Sequence, residues 1–148
     1  MLYIGSDHRG YDLKEELKKY LDEKEISFVD CGTDSKEITH YPILAKRVAS
    51  SVQESSENNG ILICATGVGM NIVANKFKGI RAGICFDEEM AKEAKAHDDI
   101  NVLVLPADFV NVSKAVAIVR AWIGTEALGG RYKDRIKMIN EIENDNMK

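Results

Sequence analysis

Cysteine, proline and tryptophan are scarce: the 148 residues hold three Cys, two Pro and one Trp. The cysteines are Cys31, Cys64 and Cys85, an odd number with no C-x-x-C pair. That pattern suggests neither a disulfide framework nor a structural zinc site. No apolar run approaches the ~18 residues needed to span a bilayer. The opening Met1-Leu2-Tyr3-Ile4-Gly5 has no basic stretch followed by a long apolar one. It reads as a strand, not as a signal peptide. Basic excess is missing too: Lys+Arg 20 against Asp+Glu 24 leaves a net charge of −4. A nucleic-acid or membrane-surface protein would usually carry the opposite balance. Neither partner is expected, and a reducing cytoplasm is the expected compartment. Internal repeats, low-complexity linkers and domain boundaries are also lacking. Residues 1–148 make one domain, with no room for a separate nucleotide domain or a lid domain. A chain this long buries roughly 70% of its unfolded surface and needs no staple.

What is present is alternation. Apolar runs at Leu2–Gly5, Ile26–Val29, Gly60–Cys64, Ile80–Phe86 and Asn101–Leu105 read as strands. Gly60–Cys64 is apolar throughout, as expected when both sheet faces are covered. Helical periodicity marks Tyr11–Glu23, a segment opened by Pro42, Met70–Lys76, Glu88–Ala96, Val112–Ile123 and Arg131 to about Asn144. Residues Glu143–Lys148 are expected to fray. Such alternation predicts an α/β fold: a Rossmann-like, doubly wound, five-stranded parallel sheet of order 2-1-3-4-5 with helices on both faces. Ligands then bind outside the carboxyl ends of strands 1 and 3, where the strand order reverses. Two loops lie there.

The first loop, Ser6-Asp7-His8-Arg9-Gly10, combines a carboxylate, an imidazole and a guanidinium. Helix capping by Asp7 and a solvated Arg9 are the bland alternative. The second reads Cys64-Ala65-Thr66-Gly67-Val68-Gly69-Met70-Asn71. Glycines before a helix let backbone N–H groups converge on an anion. Cys64 ends the strand beneath them, either as a small buried hydrophobe or as a thiolate serving as base or nucleophile. Familiar motifs fail here. A dinucleotide fingerprint lacks its third glycine, since Ile72 stands there. A P-loop lacks Gly-Lys-Ser/Thr. A cysteine phosphatase loop would want arginine at Met70. A phospho-receiver would want aspartate at Cys64 and lysine at Pro106.

The stretch from Gly60 through Cys64 and Gly67-Val68-Gly69 to Lys76 resembles the signature of type B ribose-5-phosphate isomerases. Galactose-6-phosphate and allose-6-phosphate isomerases share that superfamily. Gly5-Ser-Asp-His8, Asp30-Cys-Gly-Thr33 with Tyr41-Pro42, and Gly129-Gly-Arg-Tyr-Lys-Asp-Arg135 agree, in the same order. The resemblance implies an aldose–ketose isomerase acting on a phosphorylated sugar, ribose 5-phosphate and ribulose 5-phosphate by default, with no metal and no cofactor. It implies ring opening, then proton transfer between C1 and C2 through an enediolate. Cys64 would be the base, Thr66 would help move a proton between substrate oxygens, and His97 would open the ring. The backbone from Gly67 through Val68, Gly69 and Met70 to Asn71 would hold the enediolate oxygen. Asp7, Tyr41, Ala65 and Asp98 would line the sugar. His8, Arg131 and Arg135 would hold the phosphate. Relatives of this kind form dimers, sometimes tetramers, through a C-terminal helix, and there the two arginines serve the neighbouring subunit's site.

Residue types add to this. His97 follows a helical segment, which places it near the site end of the fifth strand. Arg131 and Arg135 are i, i+4 on one helix and share a face. Four positions depart from the family's pattern. Asp98 stands where an amide is common, Ala65 where glycine is frequent, Asn71 where serine is usual, and Asp108 near a usual arginine. Arg9, where many relatives have a small or apolar residue, is expected to compensate at the phosphate. The departures keep open a hexose 6-phosphate or an unphosphorylated sugar. A non-catalytic sugar-phosphate-binding protein is a third reading, although binding alone needs no base such as Cys64.

Overall fold

Two strands are apolar over nearly their whole length, and the fold is built around them. In the computed structural model, which describes residues 1–147, these are β3 (Asn59–Cys64) and β5 (Val102–Pro106). They pair in parallel, Gly60 opposite Val102 and Cys64 opposite Pro106. Period-2 alternation sends their side chains into two cores. Ile61, Ile63, Leu103 and Leu105 enter one, with α1 (Tyr11–Glu23), α5 (Val112–Ile123) and Ala91 of α4 (Glu88–Asp98). Leu62, Cys64, Val102 and Val104 enter the other, with α2 (Tyr41–Gln53) and α3 (Val68–Ala74). β1 (Leu2–Ser6) pairs with β3 on one side and with β2 (Phe28–Asp30) on the other. Among the described residues β4 (Ala82–Ile84) pairs only with β5.

The strand order is therefore β2-β1-β3-β5-β4. The doubly wound parallel α/β sheet stands as expected, with its reversal between β1 and β3, but the outer two strands are exchanged relative to 2-1-3-4-5. The physical reason lies in composition. β5 is buried along its whole length and fits an interior position, whereas Ala-Gly-Ile of β4 is half-buried and suits an edge.

Element ends moved for local reasons. β4 is shorter than Ile80–Phe86 because the Ile80 N–H turns back to the Phe77 carbonyl and the Arg81 N–H goes to the Asn101 side chain. β2 starts two residues later than expected because Ile26 donates to the Leu21 carbonyl and closes α1, with Glu25 at φ 56°. α3 begins at Val68, just after Gly67 at φ 82°. α4 runs on through His97 to Asp98, and Asp99 ends it at φ 45°. The last helix, α6 (Arg131–Asn146), buries none of its residues and packs against α4. It stays helical through most of the expected frayed stretch, of which Lys148 lies outside the described residues.

Candidate active site

The carboxyl ends of β1, β3 and β5 are stitched together beyond the sheet itself. Asp7 N–H donates to the Ile63 carbonyl at 3.2 Å. Ala107 N–H donates to Cys64 at 2.8 Å and Asp108 N–H to Ala65 at 3.0 Å. The loop after β2 joins from the far side, with Ser6 N–H on Gly32 at 2.8 Å and Thr33 N–H on Ser6 at 2.9 Å. These bonds fix the height of every residue at the crevice.

Asp7 is buried, and its Oδ1 accepts from the N–H groups of Arg9 and Gly10 at 3.0 and 3.1 Å. The capping role and the site position thus belong to the same carboxylate, whose Oδ2 is left outside those bonds. Gly10 lies against β3: a Cβ there would come within 2.7 Å of the Ile63 carbonyl oxygen. His8 is half-buried, and its Nδ1 accepts from Thr39 N–H at 3.2 Å. A neutral His8 therefore carries its proton on Nε2 and has a donor to offer. Arg9 reaches away from its own loop, Nη2 to Asp108 Oδ2 at 2.7 Å.

In the second loop, Gly67 needs its positive φ, and a Cβ there would press to 3.1 Å on Val104. Gly69 lets the Tyr41 ring lie against the loop, because a Cβ there would push the ring aside. Tyr41 is thereby brought against the loop. Cys64 is only 5% exposed, and the backbone amides of Met70, Gly67 and Thr66 lie near its sulfur. Burial pushes the thiol above the ordinary thiol range; those amides pull it back, and the nearby Asp7 charge adds to the rise. Thr66 is exposed, and its Oγ1 accepts from Val68 N–H at 3.2 Å, which leaves its hydroxyl proton free to donate. Met70 is buried, so it can serve the crevice through its backbone alone. Asn71 Oδ1 is buried without a hydrogen-bond partner among the described residues, as is Thr39 Oγ1. No three His, Cys, Asp or Glu side chains among the described residues form a group able to hold a metal.

The other expected site residues lie elsewhere. α4 descends from the carboxyl end of β4 and finishes where β5 begins. His97 in its last turn is therefore at the amino end of the sheet, not at the site end of the fifth strand. Val102, the first residue of β5, faces Gly60, four residues below Cys64. At a rise of about 3.3 Å per residue that is roughly 13 Å along the sheet. The error came from sequence adjacency: His97 lies close to β5, but close to its beginning. Its ring stacks on Tyr132 of α6, with centroids 4.6 Å apart and planes at 8°. Arg131 and Arg135 lie over the same phenol at 5.0 and 5.7 Å, and Arg131 also donates to the Tyr132 hydroxyl at 3.1 Å. Asp98 is exposed in the same turn of α4.

One chain thus carries two groups. Asp7, His8, Arg9, Tyr41 and the Cys64–Asn71 loop meet at one end. His97, Asp98, Arg131 and Arg135 gather at the other. The first has the thiol and the amides; the second has two exposed guanidiniums and an imidazole. Sequence reasoning did not single out Tyr132, Thr39 or the Arg9–Asp108 pair. Tyr132 sits inside the Gly129–Arg135 stretch, but a tyrosine on an exposed helix gives no signal of what it stacks on. Arg9 and Asp108 are 99 residues apart, and nothing local links them.

A sequence profile described as ribose/galactose isomerase matches residues 2–139. Ribose-5-phosphate isomerase B of Escherichia coli is 43% identical over 140 residues, covering 95% of this chain and 94% of that one. A ribose-5-phosphate isomerase B structure from Clostridium thermocellum superposes with a TM-score of 0.93 at 40% identity, covering 97% of each chain. The Mycoplasma genitalium enzyme, solved with bound ribulose 5-phosphate, gives a TM-score of 0.95 at 37% identity, covering 98% of this chain and 97% of that one.

Proposed function

The chain belongs to the ribose/galactose isomerase family, and on that premise we propose that it interconverts ribose 5-phosphate and ribulose 5-phosphate with Cys64 as the base. The observation that carries this reading is the buried Cys64 thiol, set at the strand-order reversal beneath the Gly67 turn that opens α3. A base and oxyanion donors converging on one point suit proton abstraction next to a carbonyl.

The steps follow from the residues. His97 gives a proton to the ring oxygen as the C1–ring oxygen bond breaks and the C1 hydroxyl loses its own proton to water, leaving the open aldehyde. The Cys64 thiolate takes the proton from C2, and the electron pair moves to form the enediolate. Amides of Gly67 through Asn71 stabilise the negative oxygen. Thr66 moves a proton between O1 and O2, and the Cys64 thiol returns its proton to C1. Asp7, Tyr41, Ala65 and Asp98 line the sugar, while His8, Arg9, Arg131 and Arg135 face the phosphate.

Because Cys64 and His97 lie at opposite ends of the sheet, the working site is formed by two copies. One copy supplies the crevice, and the other brings the end of α4 and the start of α6. The protein acts as a homodimer or a larger even assembly in the cytoplasm. No helix among the described residues is long and apolar enough to cross a membrane.

An isomerisation assay over pentose and hexose phosphates, with Cys64→Ala as control, tests the reaction. Turnover of ribose 5-phosphate that is lost in Cys64→Ala is the expected result. Turnover surviving Cys64→Ala would refute the base. Preference for a hexose 6-phosphate would move the substrate assignment. Mixing inactive Cys64→Ala and His97→Ala copies tests the shared site: random pairing restores about a quarter of wild-type activity. No recovery from subunits shown to exchange would refute it.

A further inference from the structure

The Arg9–Asp108 ion pair crosses the site. Arg9 follows β1, Asp108 follows β5, and β3 lies between those strands. The pair therefore bridges the end of β3 at the level of Cys64 and Ala65, whose carbonyls the Ala107 and Asp108 amides hold. Cys64 points to the α2/α3 side of the sheet. α1 and α5, which follow the two loops, pack on the opposite side. The bridge thus borders the crevice across from Tyr41 and α3. Both partners are solvated, with side chains 54% and 40% exposed. Contact is single-pronged, Nη2 to Oδ2, so most of the guanidinium's donor fork is open.

We propose that Asp108 masks Arg9 and gives it up to the phosphorylated end of the sugar, making the pair a determinant of specificity for that end. This rests on the sugar-phosphate reading above. An exposed ion pair contributes little stability, so exchange costs little. A dianion outcompetes one carboxylate for a guanidinium because it offers twice the charge and a bidentate edge. After exchange the Asp108 carboxylate remains beside the bound anion and opposes it. Asp108 therefore lowers affinity, and a weaker or uncharged sugar end does not displace it.

The test measures the affinity of inorganic phosphate by calorimetry and steady-state kinetics on ribose 5-phosphate. Wild type, Arg9→Ala, Arg9→Lys, Asp108→Asn and the double variant Arg9→Ala/Asp108→Asn are compared. Asp108→Asn keeps a hydrogen-bond acceptor and loses the charge. It should tighten phosphate and lower KM by about threefold to fivefold. Arg9→Ala should weaken phosphate and raise KM by about tenfold, with a smaller fall in kcat, and Arg9→Lys should recover part of it. In the Arg9→Ala background, Asp108→Asn should tighten less than it does alone, since there is no cation left to unmask. Unchanged or weaker phosphate binding in Asp108→Asn would overturn the proposal, as would an unchanged affinity in Arg9→Ala. A bridge that merely ties the loops would lower thermal stability in both single variants and leave the phosphate affinity alone. Phosphate calorimetry needs no turnover. Failure of wild type to isomerise any sugar phosphate would therefore count against the proposed reaction and not against the masked cation.

Discussion

The imidazole of His97 lies flat on the phenol of Tyr132, with ring centroids 4.6 Å apart and planes within 8°. α4 and α6 are joined there, and the two guanidiniums gather around the same ring. Tyr132 thus sets the orientation of the His97 ring, the proposed ring opener, and the spacing of the arginines. Tyr132→Leu should lower kcat about tenfold and raise KM, whereas Tyr132→Phe keeps the stack and should restore most of kcat. Equal kcat in all three proteins would show that the stack positions nothing.

Cys64 is a thiol held above its ordinary range, chiefly by burial and in part by the Asp7 charge. The rate should therefore rise with pH into the alkaline region as the thiolate forms. Removing the nearby negative charge favours the thiolate, so Asp7→Asn should move the Cys64 thiolate's ultraviolet absorbance to lower pH when both proteins lack Cys31 and Cys85. A titration that moves upward, or does not move, contradicts the placement. Cys64→Ser should cut kcat by about 10²- to 10⁴-fold, the usual contribution of a positioned base.

Lys14 is fully buried, and its Nζ sits 2.8 and 2.7 Å from the two oxygens of Asp30, which Lys18 also meets at 2.8 Å. Burial alone would raise the Asp30 carboxyl. Lys14, Lys18 and the Gly32 N–H together outweigh it and hold the group below its ordinary 3.8. A carboxylate depressed in the folded state contributes stability above its unfolded pKa and loses it as pH falls through the folded value. Denaturant melts should therefore show stability dropping below about pH 4, with a flatter acid limb in Asp30→Asn. Asp30→Ala should cost about 3–5 kcal/mol at neutral pH, because it removes the main partner of a buried ammonium.

Gly69 has no room for a methyl group beside the Tyr41 ring. Tyr41 is 40% exposed, so its ring can swing aside and Gly69→Ala should melt within a few degrees of wild type. It should instead raise KM by shifting Tyr41. Tyr41→Ala should raise KM as well, and Gly69→Ala should then add little to it. A wild-type KM in Gly69→Ala would show that the ring's position does not matter to the substrate.

Residues with a strong local pattern were readable without the structure. The continuous runs of β3 and β5 named themselves, and α1 and α5 run over their expected residues, because burial on a fixed period leaves a mark on the sequence. Neighbour relations leave none. The choice of β5 over β4 beside β3 depends on which strand is apolar along its whole length, a comparison between segments. His97 shows the same limit. Its distance in sequence from β5 was visible, but a helix that returns between parallel strands delivers its last turn to the opposite end. Asp7 and Cys64, at strand ends on either side of the reversal, could be placed from topology alone. The Arg9–Asp108 bridge and the Tyr132 stack depend on side chains meeting across separate elements.

The sheet ends on both sides in strands of three residues, β2 and β4. Such brief margins expose little backbone ladder for a stray strand to extend. For the proposed site shared between copies, recognition therefore falls to side chains and not to sheet edges. That is the kind of contact able to present an imidazole and two guanidiniums to a neighbour, and it closes on itself where ribbon growth would not.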